Sequence, residues 1–165
     1  MKFIKDRNRI VTESRDISDI DWVNMHVRGG SINEDGEIVT TDGSVNLIYK
    51  AHITHFPVKF ADCAQFSISD CPNLESLHNS PDRVRTSFFA GRCNSLVDLK
   101  GISKYIGKDL FLDSCAKLRS FEGLEEVKGV IMATGCVYPE NVLISCWEKG
   151  ITPDELENFK SDWEI

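Results

Sequence analysis

Cysteine recurs at a nearly fixed interval: Cys71, Cys93, Cys115 and Cys136 are separated by steps of 22, 22 and 21 residues. Aligning the chain on these positions brings further columns into register. Leu74, Leu96 and Leu118 stand three residues after a cysteine, and Leu77, Leu99 and Phe121 stand six after it. Apolar pairs spaced by two precede each one: Phe66/Ile68, Phe88/Ala90, Leu110/Leu112 and Ile131/Ala133. Val84, Ile106 and Val127 fill one more column. A period of this length constrains the fold before anything else does. Each copy is too small to bury its own apolar residues, so the copies must stack and share a core.

A shorter copy comes first. "VNLIYKAHITHF" puts Val45, Leu47, Ile53 and Phe56 in the same columns, with Lys50 where a cysteine would stand. Within each copy a short strand alternates, so Phe88 and Ala90 point inward while Ser87, Phe89 and Gly91 point outward. Stacked coils then form a parallel sheet whose equivalent side chains make ladders. Where the backbone turns out of the sheet, a small apolar thiol fits a buried corner and still serves as a weak hydrogen-bond partner. Cys71, Cys93, Cys115 and Cys136 therefore read as structural ladder residues.

The pattern Leu-x-Leu-x-x-Cys-x-x-Leu-x-x-Leu, over residues 44–140, resembles leucine-rich repeats in their short cysteine-bearing form, although an asparagine column is missing and the fourth full copy lacks its leucine pair. The segments "HNSPDRV", "KGISKYIG" and "EGLEEVKG" are similar to the loose repeats of tailed-bacteriophage proteins. The resemblance implies an α/β solenoid rich in β, of about five coils, that binds another protein. For a phage chain that protein would be a host component, such as transcription machinery or a defence factor, met in the host cytoplasm.

Both ends of a solenoid need covering. Residues 1–43 are expected to form a β cap. "DWVNMHVRG" alternates Trp22/Asn24/His26 against Val23/Met25/Val27, as a half-buried strand does, and Asp35-Gly36 marks a hairpin. Residues 141–165 are expected to close the other end. "NVLISCW" reads as a last strand, and Thr152-Pro153-Asp154-Glu155 reads as the start of a short helix from Pro153 to Phe159.

The chain's 165 residues, 41% hydrophobic and 27% charged, suit one domain with a core of its own. No apolar run is long enough to span a bilayer, and "MKFIKDRNRIVTES" lacks the apolar centre of a secretory signal. Six cysteines in such a chain point to thiols in a reducing, cytoplasmic setting. A net charge of −7 argues against a broad nucleic-acid footprint and suits a basic patch on a protein partner.

Chemistry-bearing patterns are sparse. Ser31-x-Asn33-x-Asp35-Gly36-x-Ile38, with Asp42 at the twelfth position, partly matches a calcium loop, but the first ligand is wrong and the closing glutamate is absent. His52, His55, Cys63 and Cys71 offer zinc-type ligands without a Cys-x-x-Cys pair. The ladder cysteines make poor nucleophiles, since burial raises a thiol pKa, and nothing adjacent to Cys63 or Cys146 supplies a triad. No phosphate-cradling loop, dinucleotide fingerprint, Gly-x-Ser-x-Gly or His-Glu-x-x-His is present. The expectation is no enzyme, no metal and no cofactor.

The outward strand positions remain. Their middle column reads Ser67, Phe89, Phe111 and Met132, so large apolar groups should lie side by side about 4.8 Å apart on the open face. Contiguous exposed apolar surface marks interaction sites, and aromatic groups beside Arg92 and Asp113 suit a protein-binding hot spot. Two alternatives are a nucleic-acid-associated transcription regulator using Lys50, Lys59, Arg83, Arg85, Arg92, Lys104 and Lys108, and a structural protein that self-associates through the apolar face.

Overall fold

The computed structural model describes residues 18–151 and Pro153. The sequence columns become sheets. Strands β3 (Ser44–Asn46), β4 (Gln65–Ser67), β6 (Phe88–Phe89), β8 (Leu110–Phe111) and β10 (Ile131–Met132) form a five-stranded parallel sheet in the order β3-β4-β6-β8-β10. Its register pairs Val45 with Phe66, Phe66 with Phe88, Phe88 with Leu110 and Leu110 with Ile131. A second parallel sheet, β5 (Arg83–Val84), β7 (Tyr105–Ile106) and β9 (Glu126–Val127), pairs the column Val84, Ile106 and Val127. Single parallel bridges, Cys63 to Val84 and Ile38 to Phe60, continue that side toward the N-terminus. The molecule is thus a β-solenoid in which each complete coil crosses two parallel sheets.

Coils are joined by hydrogen bonds from one turn to the next. The amides of Ile68, Ala90 and Leu112 donate to Phe89 O, Phe111 O and Met132 O at 2.8, 2.8 and 2.7 Å. Between the sheets the buried side chains are chiefly apolar, with Ser80 and Ser103 among the few polar ones. Leu74, Leu77, Leu96, Leu99 and Leu118 are fully buried, and Phe121 nearly so. Burying such a side chain contributes roughly 1.5–3 kcal/mol. The first copy keeps this arrangement: Val45, Leu47, Ile53 and Phe56 are buried, and Phe56, Phe60 and Phe66 meet edge to face at 5.0–5.8 Å. Each corner has its own backbone requirement. Tyr49, Asp70, Arg92, Ser114 and Gly135, the residues just before the cysteine column, all have positive φ. A second left-handed column is Asn79, Gly101 and Gly123, and at Gly101 a Cβ would lie 2.6 Å from the backbone of His78.

Both caps depart from expectation in part. Trp22 to Val27 do not form a strand, because α1 (Asp19–His26) is a helix. Ser18 caps it, its hydroxyl accepting from the Asp21 amide at 3.3 Å, and Asp19 and Asp21 complement the first turn. Trp22, Val23 and Val27 are buried with His26 half-buried, which is a helical stripe rather than a pleat. The hairpin is present: β1 (Gly30–Ile32) pairs antiparallel with β2 (Ile38–Thr40) around Glu34-Asp35-Gly36, with Gly36 at φ 79°. At the other end "NVLISCW" is also helical, within α2 (Glu140–Lys149). Leu143 and Cys146 are buried and Ile144 and Trp147 half-buried, so one face covers the last coil. The helix expected from Pro153 to Phe159 lies outside the described residues, apart from Pro153, which is buried. No helix of the described residues is long and apolar enough to cross a membrane.

Leu96 and Val97 are chain neighbours on opposite sides of this wall, the first at 0% exposure and the second at 48%. Leu96→Ala should cost about 2–5 kcal/mol of unfolding free energy. Val97→Ala should stay within about 0.5 kcal/mol. Urea denaturation of the two variants against the parent measures both.

Candidate functional site

Two features recur from coil to coil: the corner, which carries a thiol in every copy after the first, and the outward face of the five-stranded sheet. The corner comes first because it sets the second. Cys71, Cys93 and Cys115 donate their S–H to Leu47 O, Ile68 O and Ala90 O at 3.1, 3.2 and 3.0 Å, and Cys136 donates to Leu112 O at 3.4 Å. Each acceptor belongs to the preceding coil. The first three of these oxygens receive no backbone amide among the described residues. The thiol therefore takes over where the sheet ladder stops, which a serine-sized apolar group with a weak donor can do in a dry corner. Burial pushes the Cys63 and Cys115 thiols up to about 12 and raises Cys71, Cys93 and Cys136 as well. The ladder sulfurs are held protonated at neutral pH, and none of the six cysteines is in a disulfide.

The left-handed residue before each thiol turns the chain, so two successive side chains, such as Ser69 and Asp70, both leave the core. Arg92 is held there by Asp70 of the coil before it, with Nε and Nη2 donating to the two carboxylate oxygens at 2.5 and 2.6 Å. The bidentate pair holds the Asp70 carboxyl below its ordinary pKa, chiefly through the hydrogen bond from Arg92.

On the open face the register pairs Ser67 with Phe89, Phe89 with Phe111 and Phe111 with Met132. The rings of Phe89 and Phe111 are parallel within 1° with centroids 4.6 Å apart. Both are half-buried by their own stacking, while Met132 is 41% exposed and Val130, on the same side of β10, 52% exposed. The sequence placed Ser67 in this row, and the structure does so too but buries it, with the Gln65 side-chain amide donating to its hydroxyl at 3.2 Å. The apolar row thus runs from Phe89 to Met132. Asp113 lies on the same face, its carboxylate accepting the Thr134 amide at 3.2 Å. Asp109 and Val130 belong to the face as well. They stand in the column two residues before the aromatic one, legible from the same alignment but not singled out by it.

The other outward surface is chemically different. Arg83 lies 4.1 Å over the Tyr105 ring, Lys59 and Lys104 both reach Asp82, and Lys128 pairs with Glu126. Charge there is largely matched within the molecule.

The metal candidates are not brought together. His52 Nε2 is 3.2 Å from His26 Nδ1 on α1, His55 Nδ1 is 3.0 Å from Thr54 Oγ1, Cys63 donates to Gln65 O and Cys71 to Leu47 O. His26 lies below its ordinary pKa because of burial, with the His52 and Lys50 charges adding to it. In the hairpin, Asn33 Oδ1 accepts the Asp35 and Glu37 amides and Asp42 accepts the Ser44 amide, so these side chains build turns. Among the described residues no cluster of three or more His, Cys, Asp or Glu could hold a metal ion. Comparison with protein-family models, curated proteins and solved structures gives no match.

The thiol ladder has a pH consequence of definite sign. A thiol with its folded pKa raised above the unfolded value near 9.0 stabilises the fold fully below about pH 9. That contribution is lost as pH rises through about 12. The urea midpoint of the parent should fall over this range more steeply than that of Cys115→Ala. Alkylation at neutral pH followed by mass spectrometry should mark half-buried Cys136 before Cys71, Cys93 or Cys115.

Proposed function

We propose that this chain is a non-enzymatic protein-binding module that docks a partner protein on the open face of its five-stranded sheet. The observation that carries the reading is the stacked Phe89–Phe111 pair continued by exposed Met132 and Val130. Such a stack is worth about 0.5–1.5 kcal/mol beyond the area it buries, so folding alone gives a modest reason for two phenylalanines in an outward column. Rigid aromatic groups on a flat, regular scaffold match the anchors that dominate protein interfaces.

The nucleic-acid reading has less support. Of its seven basic residues, Arg92 is tied to Asp70 and Lys59 and Lys104 to Asp82, while Arg83 lies over Tyr105. They are divided between the second sheet and the corners instead of forming one basic stripe. The leucine-rich-repeat and phage resemblances, and with them a host transcription or defence protein as partner, rest on sequence pattern and belong to this proposal.

Affinity capture with the parent and with Phe89→Ala/Phe111→Ala tests the function. The double variant should keep the cooperative unfolding transition and lose a partner that the parent retains. If both proteins retain the same partners, the face is not the docking site. Sedimentation over a hundredfold concentration range separates a foreign partner from a second copy of the chain.

A further inference from the structure

We infer that the segment docking on this face is cationic as well as apolar: a stretch of polypeptide in which lysine or arginine flanks aliphatic or aromatic residues. The inference rests on the docking role proposed above and adds the chemistry of the partner.

Three outward columns make up the face: Ser44, Gln65, Ser87, Asp109 and Val130; Asn46, Ser67, Phe89, Phe111 and Met132; Ile48, Ser69, Gly91, Asp113 and Thr134. They contain two charged side chains, both carboxylates, and no lysine or arginine. Asp109 and Asp113 stand two residues before and two after Phe111, so the pleat places both on the side of its ring. One oxygen of each is fixed, Asp109 Oδ1 accepting the Val130 amide at 3.0 Å and Asp113 Oδ1 the Thr134 amide at 3.2 Å. Among the described residues no ion pair reaches either carboxylate. The nearest cations by position are Lys108, in the turn before Asp109, and Arg92, already held bidentate by Asp70. Two fixed negative charges therefore bracket the apolar row. A purely apolar partner covering the row would strip water from both without replacing it, a penalty that a matching cation offsets. The overall charge of −7 favours approach of the same partners.

Gly91 points the same way. It sits beside Phe89 in the column between Ser69 and Asp113. Its φ is not left-handed, and the nearest atoms to an added Cβ would be Asp113 O at 3.4 Å, Ser69 Oγ at 3.9 Å and Asp113 N at 4.0 Å, ordinary contact distances. Neither its φ nor packing requires glycine in this turn after β6. A bare backbone on a face leaves room for another chain to come close. Gly91 opens that room next to Asp113.

A random 12-residue peptide display library, selected on the immobilised full chain and counter-selected on Phe89→Ala/Phe111→Ala, supplies the probe. Val130→Ser/Met132→Ser, at exposed positions, serves as a second counter-selection. Face-dependent peptides should be enriched in lysine or arginine beside apolar residues. For the strongest, Asp109→Asn/Asp113→Asn, which retains the acceptor oxygens for both amides, should weaken binding about tenfold at low salt and flatten its salt dependence. Gly91→Val should weaken it without lowering the urea midpoint. Face-dependent peptides without basic residues, or binding indifferent to the asparagine pair, would overturn the cationic partner and leave the docking face standing. Failure to obtain any peptide that both counter-selections remove would overturn the docking face itself.

Discussion

Everything regular in this molecule depends on how each coil leaves its sheet. A parallel strand donates its amides to the next strand until the chain must turn, and there a buried carbonyl loses its amide partner. In three successive coils, Leu47, Ile68 and Ala90 carry that carbonyl, and a thiol from the following coil supplies the donor. The residue before each thiol, and Tyr49 before Lys50, takes positive φ, which is costly for tyrosine, arginine and serine and is repeated because the corner geometry is repeated. Lys50 holds the cysteine position in the first copy, so the thiol is an adaptation of the interior corners more than a condition for making one.

The corner fixes the faces. With the same left-handed residue in each coil, strands enter in identical register, and any outward column becomes a straight row of side chains one strand apart. That is why two phenylalanines 22 residues apart in the chain stack within 1° of parallel. The row is closed at the C-terminal edge without another strand. Glu140 of α2 accepts the Ala133 amide at 2.8 Å, and the Trp147 indole donates to Leu124 O at 2.8 Å. The Ala133 amide belongs to the column of Ile68, Ala90 and Leu112, whose amides donate to the next coil, so a side chain of the capping helix takes the place of a further strand at that position.

The sequence was most legible where the repeat multiplies the signal. Leu96, Cys115 and Ile106 could each be placed because several copies agree on every column, and the aromatic row followed from the same alignment. The caps occur once and have no such redundancy. Trp22/Val23/Val27 and Leu143/Cys146/Trp147 each sit in a window of about seven residues, where alternation and helical spacing fit comparably well. The deciding cues were local: Ser18 ahead of Asp19 and Asp21 for α1, and Gly150 at φ 66° closing α2. The second parallel sheet was visible only as the Val84, Ile106 and Val127 column, since strands of two residues carry almost no periodicity of their own. Ser67 shows the limit for the face: its column was right, but its exposure depended on Gln65 folding over it.

The two outward surfaces of one solenoid have been given opposite chemistry under the same geometric rule. Along the second sheet, arginine meets tyrosine and lysine meets aspartate from coil to coil, so neighbouring turns satisfy one another. Along the first, Phe89, Phe111 and Met132 follow one another between two carboxylates without an ion pair among the described residues. On the first surface the Phe89–Phe111 stack contributes about 0.5–1.5 kcal/mol between its coils, but Val130 and Met132 stay exposed and neither carboxylate has an ion pair among the described residues. The docking role proposed for the first sheet supplies a reason for that difference which packing between coils does not.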